Sequence, residues 1–209
     1  MGNFDRAVEA VFGLEGGYTV DSGGPTNLGI STNFLRSIGD NRDVRQLTTA
    51  DALELYRKHF WDKVKGDQLE DPLALVVFDM AVNAGVGTAG KLLQRLLNEL
   101  GEALALDGAI GPATLAAAAK YDPAWLAQKY LWRRLKYYAN DVALNLRREY
   151  LSGWVNRCIK IKNDLNPRPG SITREPLLQE KISCGPILAK VKLMRDAVEE
   201  IADVLENYK

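Results

Sequence analysis

The chain has 209 residues, 46% of them hydrophobic, with 27 basic side chains balanced by 27 acidic ones. That length holds one domain or two small ones around a core that needs no staples, and zero net charge argues against a dedicated nucleic-acid binder, which needs a basic surplus to neutralise phosphates. The apolar share is too large for disorder, no run approaches the ~18 apolar residues of a membrane span, and Met1–Arg6 has neither the basic nor the apolar region of a signal peptide, so synthesis in the cytoplasm is expected.

Residues 3–13 read as a first helix, with Asn3 as a cap and Phe4, Val8, Val11 and Phe12 on one face. The texture then changes. The stretch EGGYTVDSGGPTNLGIS, residues 15–31, carries two Gly-Gly pairs, a proline and short β-type runs, which predict turns and a small hairpin. Thr48 or Thr49 starts a helix that runs through Phe60. Asp71-Pro72 opens the next, and Leu73–Phe78 behind it is apolar on every side, the signature of a helix at the centre of a domain. That helix is expected to end at Asn83-Ala84-Gly85, with Thr88 capping a successor that reaches Leu100. Gly111-Pro112 and Asp122-Pro123 are two further start signals, the second opening a long helix with Trp125, Tyr130, Trp132, Tyr137 and Tyr138. Ser152 is expected to cap one more. Asn166–Gly170 reads as a linker, and beyond it Ile187, Val191, Met194, Val198, Ile201, Leu205 and Tyr208 repeat at alternating spacings of four and three. This heptad stripe fits either an amphipathic helix packed on its own domain or a self-association seam. Residues 101–175 are mildly basic, +5 against −4 for residues 1–100, which suits an anionic polymer or a plain solvated surface.

Cys158 and Cys184 show no metal-ligand spacing, and no metal or cofactor is implied. His59 is the single histidine, at the end of an amphipathic helix, so it reads as structural and a histidine-based nucleophilic triad is disfavoured. Carboxylates remain. Glu15 follows Val11, Phe12 and Leu14 and precedes two glycines. An apolar setting raises a carboxyl pKa, as a general acid needs, and the glycines leave room for a bulky substrate. Asp21 and Thr26 follow within the turn-rich segment, where a hairpin folds them back towards the helix end. A raised-pKa acid, a second carboxylate and a hydroxyl that holds a water suit glycoside hydrolysis. The plainer reading makes Glu15 an exposed helix-end residue and Asp21 a turn former.

Four motifs in order carry a resemblance. Leu14–Tyr18 with Gly23–Ser31, Phe78–Gly85, Asp107–Leu115 and Gly153–Arg157 resemble the EGGY, FDxAVNxG, DGxIGPxT and GWxNR elements of glycoside hydrolase family 108, the peptidoglycan lysozymes of Gram-negative bacteria and their phages. The resemblance implies a mainly α, lysozyme-like α+β fold: a helical bundle around a buried central helix, with a small Gly-rich β-hairpin beside the catalytic glutamate and a C-terminal helical extension. It implies a muramidase domain over residues 1–164, of which about 70–164 resembles a predicted peptidoglycan-binding region, with residues 165–209 as linker and extension. It implies N-acetylmuramidase activity on peptidoglycan glycan strands, in a phage or prophage endolysin that reaches the wall through a holin, with no stable membrane insertion. Glu15 carries over as the catalytic acid, and Thr26 and Asp21 are its candidate helpers. Tyr18, Asn27, Asn83, Trp61 and Tyr137 are candidate sugar contacts; Asn83 reads equally as a helix cap, and the aromatics, Trp132 among them, as core. Asp79 reads as a buried structural polar group. A lytic transglycosylase, or a non-catalytic wall-binding or secretion-associated protein, remains an alternative.

Overall fold

In the computed structural model, residues 3–12, 18–21, 24–145 and 148–164 are described. The first helix, α1 (Asn3–Phe12), lays Phe4, Ala7, Val8 and Val11 into the core. A three-stranded antiparallel sheet in the order β1 (Thr19–Asp21), β2 (Gly24–Asn27), β3 (Ile30–Ser31) follows. The β2–β3 turn is two residues long, and both, Leu28 and Gly29, have positive φ (51° and 72°). That geometry matches the twist of a tight hairpin, and glycine adopts it freely where leucine does not. The Tyr56 hydroxyl donates to the Leu28 carbonyl at 3.1 Å and holds the turn down.

Ser31 caps α2 (Thr32–Ser37), and a capping box between Thr48 and Asp51 opens α3 (Thr49–Tyr56). The helix expected to run to Phe60 changes pitch after Tyr56. Residues Arg57–Trp61 form a widened turn that rotates Trp61 into the core. Then comes α4 (Leu73–Ala84), buried from Leu73 to Ala81 and packed against α1, α5 (Val86–Glu99) and α7 (Pro123–Asn145). A helix surrounded by helices needs no polar face, which is why its buried stretch Leu73–Ala81 has no polar side chain but Asp79.

The sequence placed the next helix start at Thr88; the structure moves it to Val86. Gly85 (φ 90°, ψ 149°) ends α4 and begins α5 at one residue, since glycine alone turns the chain there without strain. Pro112 opens α6 (Pro112–Ala118), and the Asp122 carboxylate accepts from the Trp125 amide (2.7 Å) at the head of α7. Ser152 is not a cap. It lies within α8 (Arg148–Asp164), where Trp154, Cys158 and Ile161 pack inwards, and that packing overrides the local preference of serine. The expected linker and heptad stripe over residues 165–209 lie outside the described residues. No described helix is long and apolar enough to cross a membrane.

Candidate active site

Glu15 itself lies outside the described residues, between the end of α1 and the start of β1. The chain that follows it is defined from residue 18 to 21 and again from residue 24. Tyr18 leads into the sheet with 48% of its surface exposed, and Val20 beyond it is 64% exposed, so two apolar side chains of this edge face solvent. In the β1–β2 register Thr19 pairs with Thr26 and Asp21 with Gly24. Thr26, half-buried, is therefore directly across from the first residue of β1, and Asp21 sits at the hairpin end of the same strand. Asn27, at the end of β2, donates from Nδ2 to the Val44 carbonyl (3.0 Å), tying the sheet to the short 3-10 turn Val44–Gln46.

One of the predicted sugar contacts has different employment. Trp61 is fully buried. Phe4 and Phe78 meet its ring edge-on at 5.5 and 5.4 Å, its indole N–H donates to Asp67 (2.8 Å), and Gly66 is so close that a Cβ there would lie 2.3 Å from the ring. No ring face is left for a sugar, and the residue is core. Tyr137 is half-buried, packed against the core and edge-on to Tyr138 (5.7 Å).

Asn83 is not the helix cap, because Gly85 is. Its side chain is held by a chain of buried polar groups that links two of the sequence motifs through α7. Asp79 on α4 is fully buried and ion-paired to Arg134 of α7 and Arg157 of α8. Arg134, also fully buried, donates through Nε to the Tyr138 hydroxyl (2.6 Å), which donates to Asn83 Oδ1 (2.5 Å). The amide of Asn83 is thereby oriented with its carbonyl turned to Tyr138. Burial alone raises the Asp79 carboxyl, but the two guanidinium groups outweigh it and hold Asp79 below the ordinary carboxylate range. The structural reading of Asp79 is the right one. Arg134 was missed, although a charged residue on the apolar stripe of α7 beside Leu126, Ala127, Tyr130 and Leu131 is a signal that an internal partner exists.

The DGxIGPxT-like turn is likewise built around one polar bracket. Gln94 of α5 donates to the Asp107 carboxylate (2.7 Å) and the Ala109 carbonyl (3.0 Å) while accepting from the Gly108 amide (2.9 Å). Asp107 and Gly108 in this motif serve the turn itself. His59 is half-buried and edge-on to Phe34, and burial together with Lys58 and Lys63 lowers its pKa, so it is neutral at neutral pH. Among the described residues no group of His, Cys, Asp and Glu is arranged to hold a metal.

Comparison with known proteins decides what this frame supports. Residues 8–85, spanning α1, the sheet and α4, match the family Glycosyl hydrolase 108. The chain therefore carries a family 108 glycosyl hydrolase segment. Residues 88–159 of this hydrolase match a second family, Predicted Peptidoglycan domain. The structure of SagA from Brucella abortus superposes with a TM-score of 0.67 at 29% identity, covering 78% of this chain and 94% of SagA. No match is found among curated proteins. The chain is thus a glycoside hydrolase of peptidoglycan with a mainly α, lysozyme-like fold, and the Asp79–Arg134–Arg157 cluster bonds its first matched segment to its second one.

Proposed function

We propose that the chain is an N-acetylmuramidase, with Glu15 protonating the glycosidic oxygen between N-acetylmuramic acid and N-acetylglucosamine. Thr26, with Asp21, positions the water that attacks the anomeric carbon. The observation that supports this reading is the β1–β2 hairpin directly after Glu15, whose register sets Thr26 opposite Thr19 and Asp21 at the hairpin end within a family 108 segment. A carboxylic acid, a second carboxylate and a hydroxyl on one short stretch match the needs of glycoside hydrolysis. The substrate is the glycan strand, and the place of action is the cell wall, in lysis of the host.

The test is mass spectrometry of fragments released from purified Gram-negative peptidoglycan, with Glu15→Gln alongside. Hydrated muramic acid reducing ends, lost in Glu15→Gln without loss of fold, are expected. Anhydro ends would replace the muramidase by a lytic transglycosylase. A folded Glu15→Gln chain with full activity would remove Glu15 from the mechanism.

A further inference from the structure

Helix α7 buries one face and decorates the opposite one in an unusual way. Its inward residues are Leu126, Ala127, Tyr130, Leu131, Arg134 and Tyr138. At 100° per residue, Trp125, Lys129, Trp132 and Lys136 fall together on the far side, centred nearly opposite that core face. Both tryptophans are half-buried rather than buried. The Lys129 ammonium lies 5.2 Å from the Trp125 ring and the Lys136 ammonium 5.8 Å from the Trp132 ring. Trp125 is further backed by Tyr121, stacked at 5.9 Å with 19° between the planes. Trp125 rests part of its surface against the core, but a largely solvent-facing helix surface gives little packing reason for a second indole at Trp132.

We propose that this face of α7 is a glycan-strand docking surface, distinct from the hairpin that holds Thr26. Seven residues separate the two indoles, which places them about 10.5 Å apart along the helix axis, close to the length of one β-1,4-linked disaccharide. Successive repeats of a glycan strand therefore meet successive tryptophans, and the apolar faces of the sugars stack on the rings. The lysines give charge complementarity: each muramic acid carries an anionic substituent, and an ammonium follows each indole at one helical turn. In the free protein each lysine lies over its ring; on binding the sugar takes that place and the ammonium pairs with a carboxylate. The second segment of the chain, residues 88–159, matches a Predicted Peptidoglycan domain, and all four residues lie within it. The inference rests on the substrate being peptidoglycan and deepens it by assigning where the strand is held away from the cleavage point.

The experiment is co-sedimentation of the full chain with purified peptidoglycan sacculi, comparing Trp132→Ala, Lys136→Glu and the unaltered protein, together with hydrolysis of sacculi and of a short soluble muropeptide oligosaccharide. Each substitution is expected to weaken sedimentation about tenfold and raise KM on sacculi. The value of kcat, hydrolysis of the short substrate and thermal unfolding stay unchanged. Binding of the Lys136→Glu chain also becomes less dependent on salt, Lys129 being retained. Unaltered sedimentation in both folded variants would overturn the proposal. So would a lowered unfolding temperature of Trp132→Ala with unaltered sedimentation, which would make the stripe a docking face for another part of the same chain. The failure of the muramidase reading shows instead in the fragment ends, whatever the binding does.

Discussion

Asp79 is the residue on which the packing of the second half of the chain converges. A carboxylate at 0% exposure is tolerated because Arg134 and Arg157 reach it from two helices, and the arrangement carries a definite pH dependence. Its folded pKa lies below the ordinary 3.8, so its stabilising contribution is present above pH ~4 and is lost as the pH falls through the folded value. Asp79→Asn leaves two buried guanidinium groups without their counter-charge and is expected to cost about 3–5 kcal/mol at neutral pH. Denaturant unfolding between pH 3 and 7 checks both parts: a lower midpoint at pH 7 and a flatter acid limb in the variant. An unchanged midpoint would mean that the pair contributes nothing net. At this scale the sequence was informative about Asp79, since a lone acid in an all-apolar helix must be paired. It was silent about Tyr138, whose role in holding Asn83 depends on a contact between residues 55 apart in the chain.

Among elements, α5 approaches the turn before α6 backbone to backbone. A Cβ built on Gly90 would lie 2.0 Å from the Gly108 carbonyl oxygen, and Gly108, at φ 83°, itself sits against the backbone of Gly87. Neither neighbour is a flexible side-chain end, so the backbone must move to admit a methyl group. Gly90→Ala is expected to destabilise by about 3 kcal/mol through separation of α5 from the Asp107–Ala109 turn, measured as a fall in the thermal midpoint. A variant as stable as the parent would show that the turn is not held by this contact. The glycines of the sequence were legible as turn formers, but the need for a bare Cα at Gly90 was not, because it lies inside a helix whose own geometry makes no such demand. The same limit explains Thr88 and Ser152. Each has the side chain of a cap, yet Gly85 and the packing of α8 on α7 decide where the helices begin.

For the whole molecule, the matched segments 8–85 and 88–159 are not independent bodies. Helix α4 belongs to the first segment and is covered by α5 and α7 of the second, and Asp79 finds both its cations there. Residues 1–85 expressed alone are therefore expected to lack a cooperative unfolding transition, their central helix exposed and its carboxylate unpaired. Circular dichroism during heating tests this, and a sharp transition in the fragment would show that the first segment folds without the second. By itself the sequence determined the helical character, the position and depth of the central helix, the hairpin within the Gly-rich segment and the resemblance to family 108, because periodicity, caps and short motifs are local properties. Only the tertiary structure decided that Trp61 is core rather than a sugar platform, that Asn83 is oriented through Tyr138 and Arg134, and that Asp79, Asp107 and Arg157 of three motifs brace the scaffold. Those outcomes depend on which side chains meet across long separations in the chain, and burial and ion pairing are properties of that meeting.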